Sequence, residues 1–240
     1  MIKTEITKTY VVIEKIVESA NVSTLKLRLS DGSVPTYHAG QFINVYFPEL
    51  SVPEGKAYSM SSAPHEKVLV ITVKAVGEFS RRLCALQTGD TVTASLPYGY
   101  FYSELEDTSL VFIAADIGVT PFRSIILDSL SRNPSRKLIL FYTSRTHGGL
   151  TFREEFENLR KKHSNFDVFY FVTREKSPDP AIVQTRVTIG NIVGSGPQKN
   201  IAGREFMLCG SISFVGDIWK GLRAAGVPEE AIYTEAFFSH

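Results

Sequence analysis

One short stretch of the sequence combines an aromatic ring with several small hydroxyl side chains. It runs from Gly55 to Pro64 and reads Gly-Lys-Ala-Tyr-Ser-Met-Ser-Ser-Ala-Pro. The ring of Tyr58 offers an apolar face, and the serine hydroxyls offer short hydrogen-bond donors and acceptors. This combination predicts a lip that holds a flat ligand, although such a stretch can also be an ordinary loop.

A second set of candidate residues follows the predicted strands in the later part of the chain. Leu110–Ala115 is a continuous apolar run, which is typical of a strand buried on both faces. Ligand sites in open parallel sheets lie at the carboxyl ends of the strands. We therefore expect the residues at these ends to form the second half of a site whose first half is the Tyr58 lip. They are Ala114-Ala115-Asp116, Thr143-Ser144-Arg145, Thr173-Arg174 and Cys209-Gly210.

Residues 1–105 are predicted to form a small antiparallel β-barrel or sandwich. Short segments rich in Val, Ile, Thr and Phe are separated by turns that contain glycine. A short helix is expected after Gly77, with Ser80 as its N-cap. The predicted strands are Tyr10–Ser19, Thr24–Ser30, Gln41–Phe47, Val68–Val76 and Asp90–Leu96.

Residues 106–240 are predicted to form an α/β domain with a parallel sheet, because strand and helix alternate. Thr120-Pro121 has the form of an N-cap followed by Pro at the first helical position, and Thr151 with Glu154 has the form of a capping box. Ser177–Arg204 is rich in Gly, Pro and polar residues and is expected to be mostly connecting loop. The other predicted elements are strands Leu138–Thr143, Asp167–Val172, Phe206–Cys209 and Ala231–Phe237, and helix Ser213–Ala225.

The composition argues against several classes of protein. The 26 Lys and Arg against 25 Asp and Glu leave a net charge of +1, so no basic field favours nucleic acid or an anionic membrane. No apolar run is long enough to span a membrane, and the N-terminus has no signal-peptide pattern. The two cysteines lack a CxxC spacing and cannot hold a four-cysteine cluster, and the five histidines are scattered. These features predict a cytoplasmic protein without a metal site.

The order of the motifs resembles the ferredoxin–NADP reductase superfamily across essentially the whole chain. Each motif is weak alone, but their order over about 180 residues is hard to obtain by chance. Lys56-Ala57-Tyr58-Ser59 is similar to the Arg-x-Tyr-Ser flavin signature of that family. The other matching motifs are Gly77-x-x-Ser80, Ile117-Gly118-Val119-Thr120-Pro121, Cys209-Gly210 and Glu235-x-Phe237.

The resemblance implies a Greek-key FAD-binding barrel followed by a nucleotide-binding domain, with the flavin at their junction. In this family a hydride passes from the nicotinamide to the flavin, and the protein positions both cofactors. Ser59, Cys209 and Glu235 are implied as the catalytic group, with Ser59 near the flavin N5 atom. Cys209 and Glu235 could instead be a core thiol and a solvated carboxylate. The implied cofactor-binding residues are Lys56, Ala57, Tyr58, Ser59, Val73, Lys74, Gly77, Phe79, Ser80, Gly118, Thr120, Pro121, Arg145, Thr173, Arg174, Phe237 and Phe238.

Arg174 bears on the identity of the nicotinamide cofactor. Thr173-Arg174-Glu175 resembles the Ser-Arg-Glu that grips the adenosine 2′-phosphate in NADP-using members. A guanidinium suits a phosphate dianion, and Arg145 at the neighbouring strand end could add a second positive charge. The sequence therefore favours NADP over NAD, with solvated loop arginines as the alternative interpretation.

The chain departs from the family pattern at two positions. Lys56 replaces the signature Arg and loses its planar fork, so the flavin is expected to be held more weakly or in another form. Ala115-Asp116 stand where the family has glycines, and Asp116 adds a negative charge near a phosphate. Either Asp116 points away from the dinucleotide, or the protein uses its nicotinamide poorly.

These observations predict a reductase that oxidises NADPH through FAD and reduces a separate carrier such as ferredoxin or flavodoxin. FAD is preferred over FMN by family habit. The alternatives are a reductase component of an oxygenase, a reductase of free flavin, and a flavin-binding relay or regulatory subunit that has lost nicotinamide chemistry. Asp116 favours the last alternative, and Arg174 argues against it.

Overall fold

The structure is a computed structural model that describes residues 6–194 and 203–237. By their contacts, these residues divide into two compact units. The first contains the chain up to Tyr102 together with Arg123–Asp128, and the second contains Ser103–Phe122 and the chain from Ser129 onwards.

The first unit is a six-stranded antiparallel sheet with the strand order β4-β3-β6-β1-β2-β5. A bridge between Met60, just after β4, and Ile71 of β5 links the two ends of this order, so the sheet closes into a barrel. Its strands are β1 (Thr7–Ser19), β2 (Val22–Leu29), β3 (Phe42–Tyr46), β4 (Lys56–Ser59), β5 (Leu69–Lys74) and β6 (Thr91–Ser95).

Apolar side chains that alternate along these strands fill the barrel. Leu25 and Leu27 of β2 pack with Ile71 and Val73 of β5 in the core, and Met60 joins them. The residues between them on each strand point to the opposite face of the sheet, because strand side chains alternate. Helix α1 (Glu78–Ala85) follows β5 and adds Phe79 to the same core.

The second unit is a six-stranded sheet with the order β10-β9-β8-β7-β11-β12, and all of its strand pairs are parallel. The strand order reverses between β7 and β11, which is where sheets of this type bind their ligands. The predicted fold class, an antiparallel barrel followed by a parallel α/β sheet, is confirmed. The strands are β7 (Ser109–Ala115), β8 (Leu138–Ser144), β9 (Phe166–Val172), β10 (Ile182–Val183), β11 (Arg204–Ser211) and β12 (Ile232–Phe237).

The helices of this region begin differently from the sequence-based prediction. A 3-10 turn runs directly into α2, so Val119 is the N-cap and Thr120 is already helical. Helix α3 begins after Phe152, which is its N-cap, so Thr151 precedes the capping position and the predicted capping box is wrong. The helices are α2 (Thr120–Arg132), α3 (Arg153–Lys162), α4 (Ile189–Gly194) and α5 (Ile212–Ala224).

Two stretches predicted as loop contain regular structure. The lip around Tyr58 includes strand β4, and the segment predicted as connecting loop contains β10 and α4. Within the described ranges, no helix has the length and apolar character needed to cross a membrane.

A buried ion pair ties the start of the second unit to its sheet. Arg136 and Glu205 lie 3.7 Å apart, with their side chains 9% and 5% exposed. The hydroxyl of Ser103 donates to Glu205, and Arg136 donates to the Leu105 carbonyl oxygen at 2.6 Å. The Tyr233 hydroxyl donates to the other Glu205 oxygen at 2.7 Å. The carboxylate and the guanidinium are therefore paired and hydrogen-bonded, as buried charges require.

Candidate functional site

The predicted flavin lip is a strand edge rather than a free loop. β4 pairs with β3, placing Ser59 opposite Phe42 and Tyr58 opposite Ile43. Ser59 is buried, and Tyr58 is half-buried with its ring stacked against Phe79 at 6.4 Å between centroids. Burial, and secondarily the nearby Cys84, raises the pKa of the Tyr58 phenol. The phenol thus stays protonated and can donate a hydrogen bond.

Lys56 lies next to this aromatic pair. Its ammonium nitrogen is 5.8 Å from the centre of the Phe79 ring, within the range of a cation–π contact. Ala57 is exposed on the same strand. Of the two predicted contacts on β5, Val73 is buried in the barrel core and only Lys74 is partly exposed. The positive charge of Lys56 is therefore held close to Phe79 of α1, on which Tyr58 also stacks.

The start of α1 corrects the predicted role of Ser80. Gly77 is the N-cap, and Ser80 is the third residue of the helix. Its hydroxyl oxygen accepts from the backbone N–H groups of Val76 and Gly77 at 2.9 and 3.0 Å. Ser80 thus stabilises the turn before α1 by accepting hydrogen bonds from backbone groups that precede it in the chain. The N-cap assignment was wrong because a serine at the third position bonds the same backbone groups from inside the helix.

The end of the lip is fastened by residues that the sequence analysis did not single out. Within the first unit, Arg123 donates to the Ser61 carbonyl oxygen at 2.5 Å and pairs with Glu66 at 3.3 Å. Ser124 donates to the Ser62 carbonyl oxygen at 2.5 Å. These side chains fix the backbone after Met60. An Arg followed by a Ser on a predicted helix gives no sequence signal of such a role.

In the second unit, the turn after β7 packs against the end of β11. An added Cβ on Gly118 would lie 2.6 Å from the carbonyl carbon of Cys209 and 2.9 Å from the Gly210 nitrogen. Thr120 donates to the Ile117 carbonyl oxygen at 3.0 Å, and both Thr120 and Pro121 are buried. Gly118 is therefore required for the turn to lie directly on β11.

Asp116 adopts a left-handed conformation, with φ of +48°. The Ser144 hydroxyl at the end of β8 donates to its carboxylate at 2.7 Å. The carboxylate is thus held toward β8, at the carboxyl edge of the sheet. The departure from glycine is accommodated by the side chain of the neighbouring strand end, a partner that the sequence could not identify.

Cys209 and Glu235 occupy opposed positions on the parallel strands β11 and β12. Cys209 is fully buried, and its thiol pKa lies well above the usual value because of burial and the adjacent Glu235 charge. Glu235 is partly exposed, and Phe237 at the end of β12 is partly buried opposite Ser211. Phe238, also predicted to cover the flavin, lies outside the described residues.

The residues predicted to bind the 2′-phosphate lie on two strand ends that are joined by backbone hydrogen bonds. The Arg174 N–H donates to the Arg145 carbonyl oxygen at 2.9 Å, and the Thr173 N–H donates to the Ser144 carbonyl oxygen at 3.1 Å. Arg145, Thr173 and Arg174 are exposed. Glu175 accepts from the His147 backbone N–H at 2.7 Å. Two guanidinium groups are thus available to solvent on adjacent strand ends.

The residues present fit the two cofactors that the motifs imply. In the first unit, Tyr58 offers a ring, Lys56 a positive charge and Gly77 a helix N-terminus, the groups that an isoalloxazine and its phosphates need. In the second unit, a Cβ on Gly210 would lie 2.9 Å from both Ala115 and Phe214. Bare backbone at this strand end suits a dinucleotide. Across the described part of the chain, no group of three or more metal-ligating side chains is found.

Comparison with known families matches both units. Residues 9–102 match the oxidoreductase FAD-binding domain, and residues 112–220 match the oxidoreductase NAD-binding domain. The two matched families follow the order of the barrel and the parallel sheet, and the second match ends before β12.

Individual relatives agree with these domain matches. One component of the Na(+)-translocating NADH-quinone reductase of Klebsiella pneumoniae is 26% identical over 90% of this chain, which spans 64% of that relative's length. A flavohemoprotein of Bacillus subtilis is 29% identical over 96% of this chain, which covers 59% of it. Among solved structures, the FAD/NAD-binding domain of a nitric oxide dioxygenase from Vibrio cholerae superimposes with a TM-score of 0.84 at 29% identity. That alignment covers 96% of this chain and 98% of the other.

Proposed function

Because this chain belongs to the ferredoxin–NADP reductase superfamily, we propose that it oxidises NADPH with the help of FAD and reduces a separate carrier protein. At the coarser level it is an oxidoreductase with an FAD-binding and an NAD-binding domain. FAD, when bound, accepts a hydride and releases electrons singly or in pairs. The observation that carries the proposal is the meeting of the Gly118 turn, Cys209-Gly210 and Glu235 at the point where the strand order reverses.

The residues of the chain would bind and orient the two cofactors and would exclude water from them. Tyr58 and Lys56 would hold the flavin ring and its phosphate, and Ser59 would lie beside the reacting edge of the ring. Cys209, which is fully buried, would lie beside the nicotinamide as a neutral thiol, because its raised pKa keeps it protonated. Glu235 would hold a proton at a carboxylate that is partly open to solvent. Phe237 would limit access of water to the flavin.

The preference for NADPH rests on Arg174 and Arg145. Their backbones are hydrogen-bonded, so the two guanidinium groups start from neighbouring points. A phosphate dianion gains charge-assisted hydrogen bonds from such a pair, whereas the 2′-hydroxyl of NADH gains little. The name of the Klebsiella relative specifies NADH rather than NADPH. A comparison of the two nucleotides with this protein therefore tests the proposed preference directly.

Arg174→Ala is expected to raise the KM for NADPH about tenfold and to change the KM for NADH little, since one charge-assisted bond contributes about 1.5–3 kcal/mol and the site is exposed. Steady-state reduction of ferricyanide with each nucleotide measures both values. Arg160→Ala, on the exposed face of α3, is the matched control for loss of an arginine. Equal effects of Arg174→Ala on the two nucleotides would refute the phosphate assignment.

The proposed acceptor is a small carrier such as ferredoxin or flavodoxin. The competing proposal is a relay or regulatory subunit with weak nicotinamide use, which the Asp116 charge at the nucleotide-binding edge favours. Anaerobic titration of the FAD-loaded protein with NADPH separates the two. Bleaching of the flavin band near one equivalent supports the reductase. A band that dithionite bleaches but neither NADPH nor NADH does supports the relay.

A further inference from the structure

A continuous row of hydroxyl groups runs along the barrel wall, on the face opposite the core, to a surface carboxylate. Ser61 Oγ lies 3.0 Å from Thr72 Oγ1, which lies 2.8 Å from Thr24 Oγ1. Thr24 Oγ1 in turn donates to Glu18 Oε1 at 2.6 Å. Ser61 is 0% exposed and the two threonines are 4% exposed, whereas Glu18 is exposed. All four residues belong to the first unit.

The strand register of the barrel creates this row. Thr24 of β2 and Thr72 of β5 are directly opposed partners, so their side chains meet across the strands. Ser61 is brought to the same place because its backbone N–H donates to the Val70 carbonyl oxygen at 2.8 Å. Since Leu25, Ile71 and Met60 point into the core, these three hydroxyls lie on the opposite face of the barrel wall.

The hydrogens of this row can be placed in one consistent direction. An ionised carboxylate only accepts, so Thr24 must donate to Glu18. Thr24 has no second hydroxyl hydrogen, so Thr72 must donate to Thr24. Ser61 then donates to Thr72 at 3.0 Å, a shorter contact than the 3.4 Å from its hydroxyl to the Val70 carbonyl oxygen. Every O–H bond therefore points toward the surface, and the lone pairs of Ser61 are at the inner end.

The inner end of the row lies beside the predicted flavin lip. Ser59 and Ser61 are separated by one residue in an extended segment, so their side chains share a face about 7 Å apart. Ser59 is the residue expected near the reacting edge of the flavin. The Ser61 backbone is held by Arg123, which fixes the position of this end.

We propose that Ser61, Thr72, Thr24 and Glu18 form a proton pathway between the flavin lip and solvent. The proposal rests on the proposed function, in which a one-electron carrier takes electrons from reduced FAD and leaves a proton to be removed. A proton that reaches Ser61 Oγ is accompanied by transfer of the Ser61 hydrogen to Thr72, of the Thr72 hydrogen to Thr24, and of the Thr24 hydrogen to Glu18. Each oxygen gains one O–H bond and loses one, and Glu18 passes the proton to water.

Proton release from the FAD-loaded protein tests this pathway without any nicotinamide. The protein is reduced with dithionite, freed of excess reagent anaerobically, and mixed rapidly with the one-electron oxidant ferricenium in weak buffer containing a pH indicator. The flavin band reports electron loss, and the indicator reports arrival of the proton in solution. Because both reagents are artificial, failure of the NADPH reaction leaves this measurement interpretable.

In the wild type, the proton is expected to appear together with recovery of the flavin band. Thr72→Val removes the central hydroxyl, and proton release is expected to slow about a hundredfold or more, the range typical of a positioned proton-transfer group. Thr72→Ser restores the hydroxyl and should restore the wild-type rate. Thr93→Val, at a half-buried position of β6 outside the row, is the matched control.

Glu18→Gln provides a second variant at an exposed position where folding is not at risk. Glutamine still accepts from Thr24 but cannot take up the proton, so its proton release should be delayed as in Thr72→Val. Wild-type release in both variants would overturn the pathway and leave the row as ordinary hydrogen bonding. If the Thr72→Val variant does not bind FAD, proton release from Glu18→Gln alone decides whether the pathway exists.

Discussion

The contact of Gly118 with β11 gives a prediction whose size follows from the structure. Gly118→Ala would place a methyl group 2.6 Å from the carbonyl carbon of Cys209 and 2.9 Å from the Gly210 nitrogen. Gly118 is not among the glycines with positive φ, so alanine can adopt its backbone conformation. The cost is therefore steric, and the atoms that must move are backbone atoms of a strand buried between two neighbours.

Overpacking of this kind typically costs about 1–3 kcal/mol, and the upper part of that range applies because no flexible side chain can yield. With a urea dependence of about 2 kcal/mol per molar, the midpoint of unfolding should fall by about 1 M. Urea titration followed by the fluorescence of Trp219, which packs on the core of the same unit, measures this change. Displacement of the Gly118 turn should also weaken nicotinamide binding, measurable by equilibrium titration.

Gly216→Ala is the matched control, because nothing lies within 4 Å of its added Cβ. Gly216 is inside α5, where replacement of glycine by alanine should stabilise the protein by about 0.5–1 kcal/mol. The two substitutions should therefore shift the midpoint in opposite directions. An unchanged midpoint for Gly118→Ala would show that the turn can move away from β11 at little cost, and the steric argument would fail.

Two further predictions concern charge. Asp116→Asn keeps an acceptor for Ser144 and tolerates the left-handed backbone, so the substitution removes only the negative charge. If the carboxylate repels a phosphate about 5 Å away, the nicotinamide nucleotide should bind the variant about fivefold more tightly, as measured by equilibrium titration. An unchanged dissociation constant would show that there is no such repulsion. Burial raises the pKa of Tyr10 from 10.0 to about 12, so the neutral phenol stabilises the fold at lower pH and this contribution is lost as the pH rises through that interval. The stability advantage of wild type over Tyr10→Phe in urea titrations should shrink by up to about 2 kcal/mol between these pH values, and a constant difference would contradict the assignment.

The strands of both units could be predicted because burial leaves a direct pattern in the sequence. Leu110–Ala115 is apolar throughout, and β7 is covered by strands on both edges and buried on both faces. β4 is not predictable as a strand, since Lys-Ala-Tyr-Ser shows neither alternation nor a run of β-branched residues. Its pairing with β3 is a long-range contact that no local pattern contains.

The helix caps were the least predictable features. Ser80, Thr120 and Thr151 are all residues with high capping propensity, but the Ser80 and Thr120 hydroxyls bond other groups and Thr151 lies before the N-cap of α3. A side chain that can bond several nearby backbone groups does not reveal which one it takes until the turn before the helix is known.

The motif residues of the candidate site could be located from their order, whereas their supporting contacts could not. The Cys209–Glu235 pairing follows from strand register, and the fastening of Ser61 by Arg123 joins residues 62 positions apart. The same holds for the hydroxyl row, because isolated threonines in strands are common and only the register brings Thr24 and Thr72 together.

The ion pair between Arg136 and Glu205 limits where the chain can be truncated if the second unit is to fold as an isolated fragment. A fragment that begins at residue 106, the boundary expected from sequence, would lack the Ser103 hydroxyl and the Leu105 carbonyl. Each lost hydrogen bond to a charged group costs about 1.5–3 kcal/mol, which is a large share of the stability of a single domain. The nucleotide-binding half should therefore be isolated from Ser103 or earlier, and a protease that cleaves after Leu105 would release a weakened domain rather than an intact one.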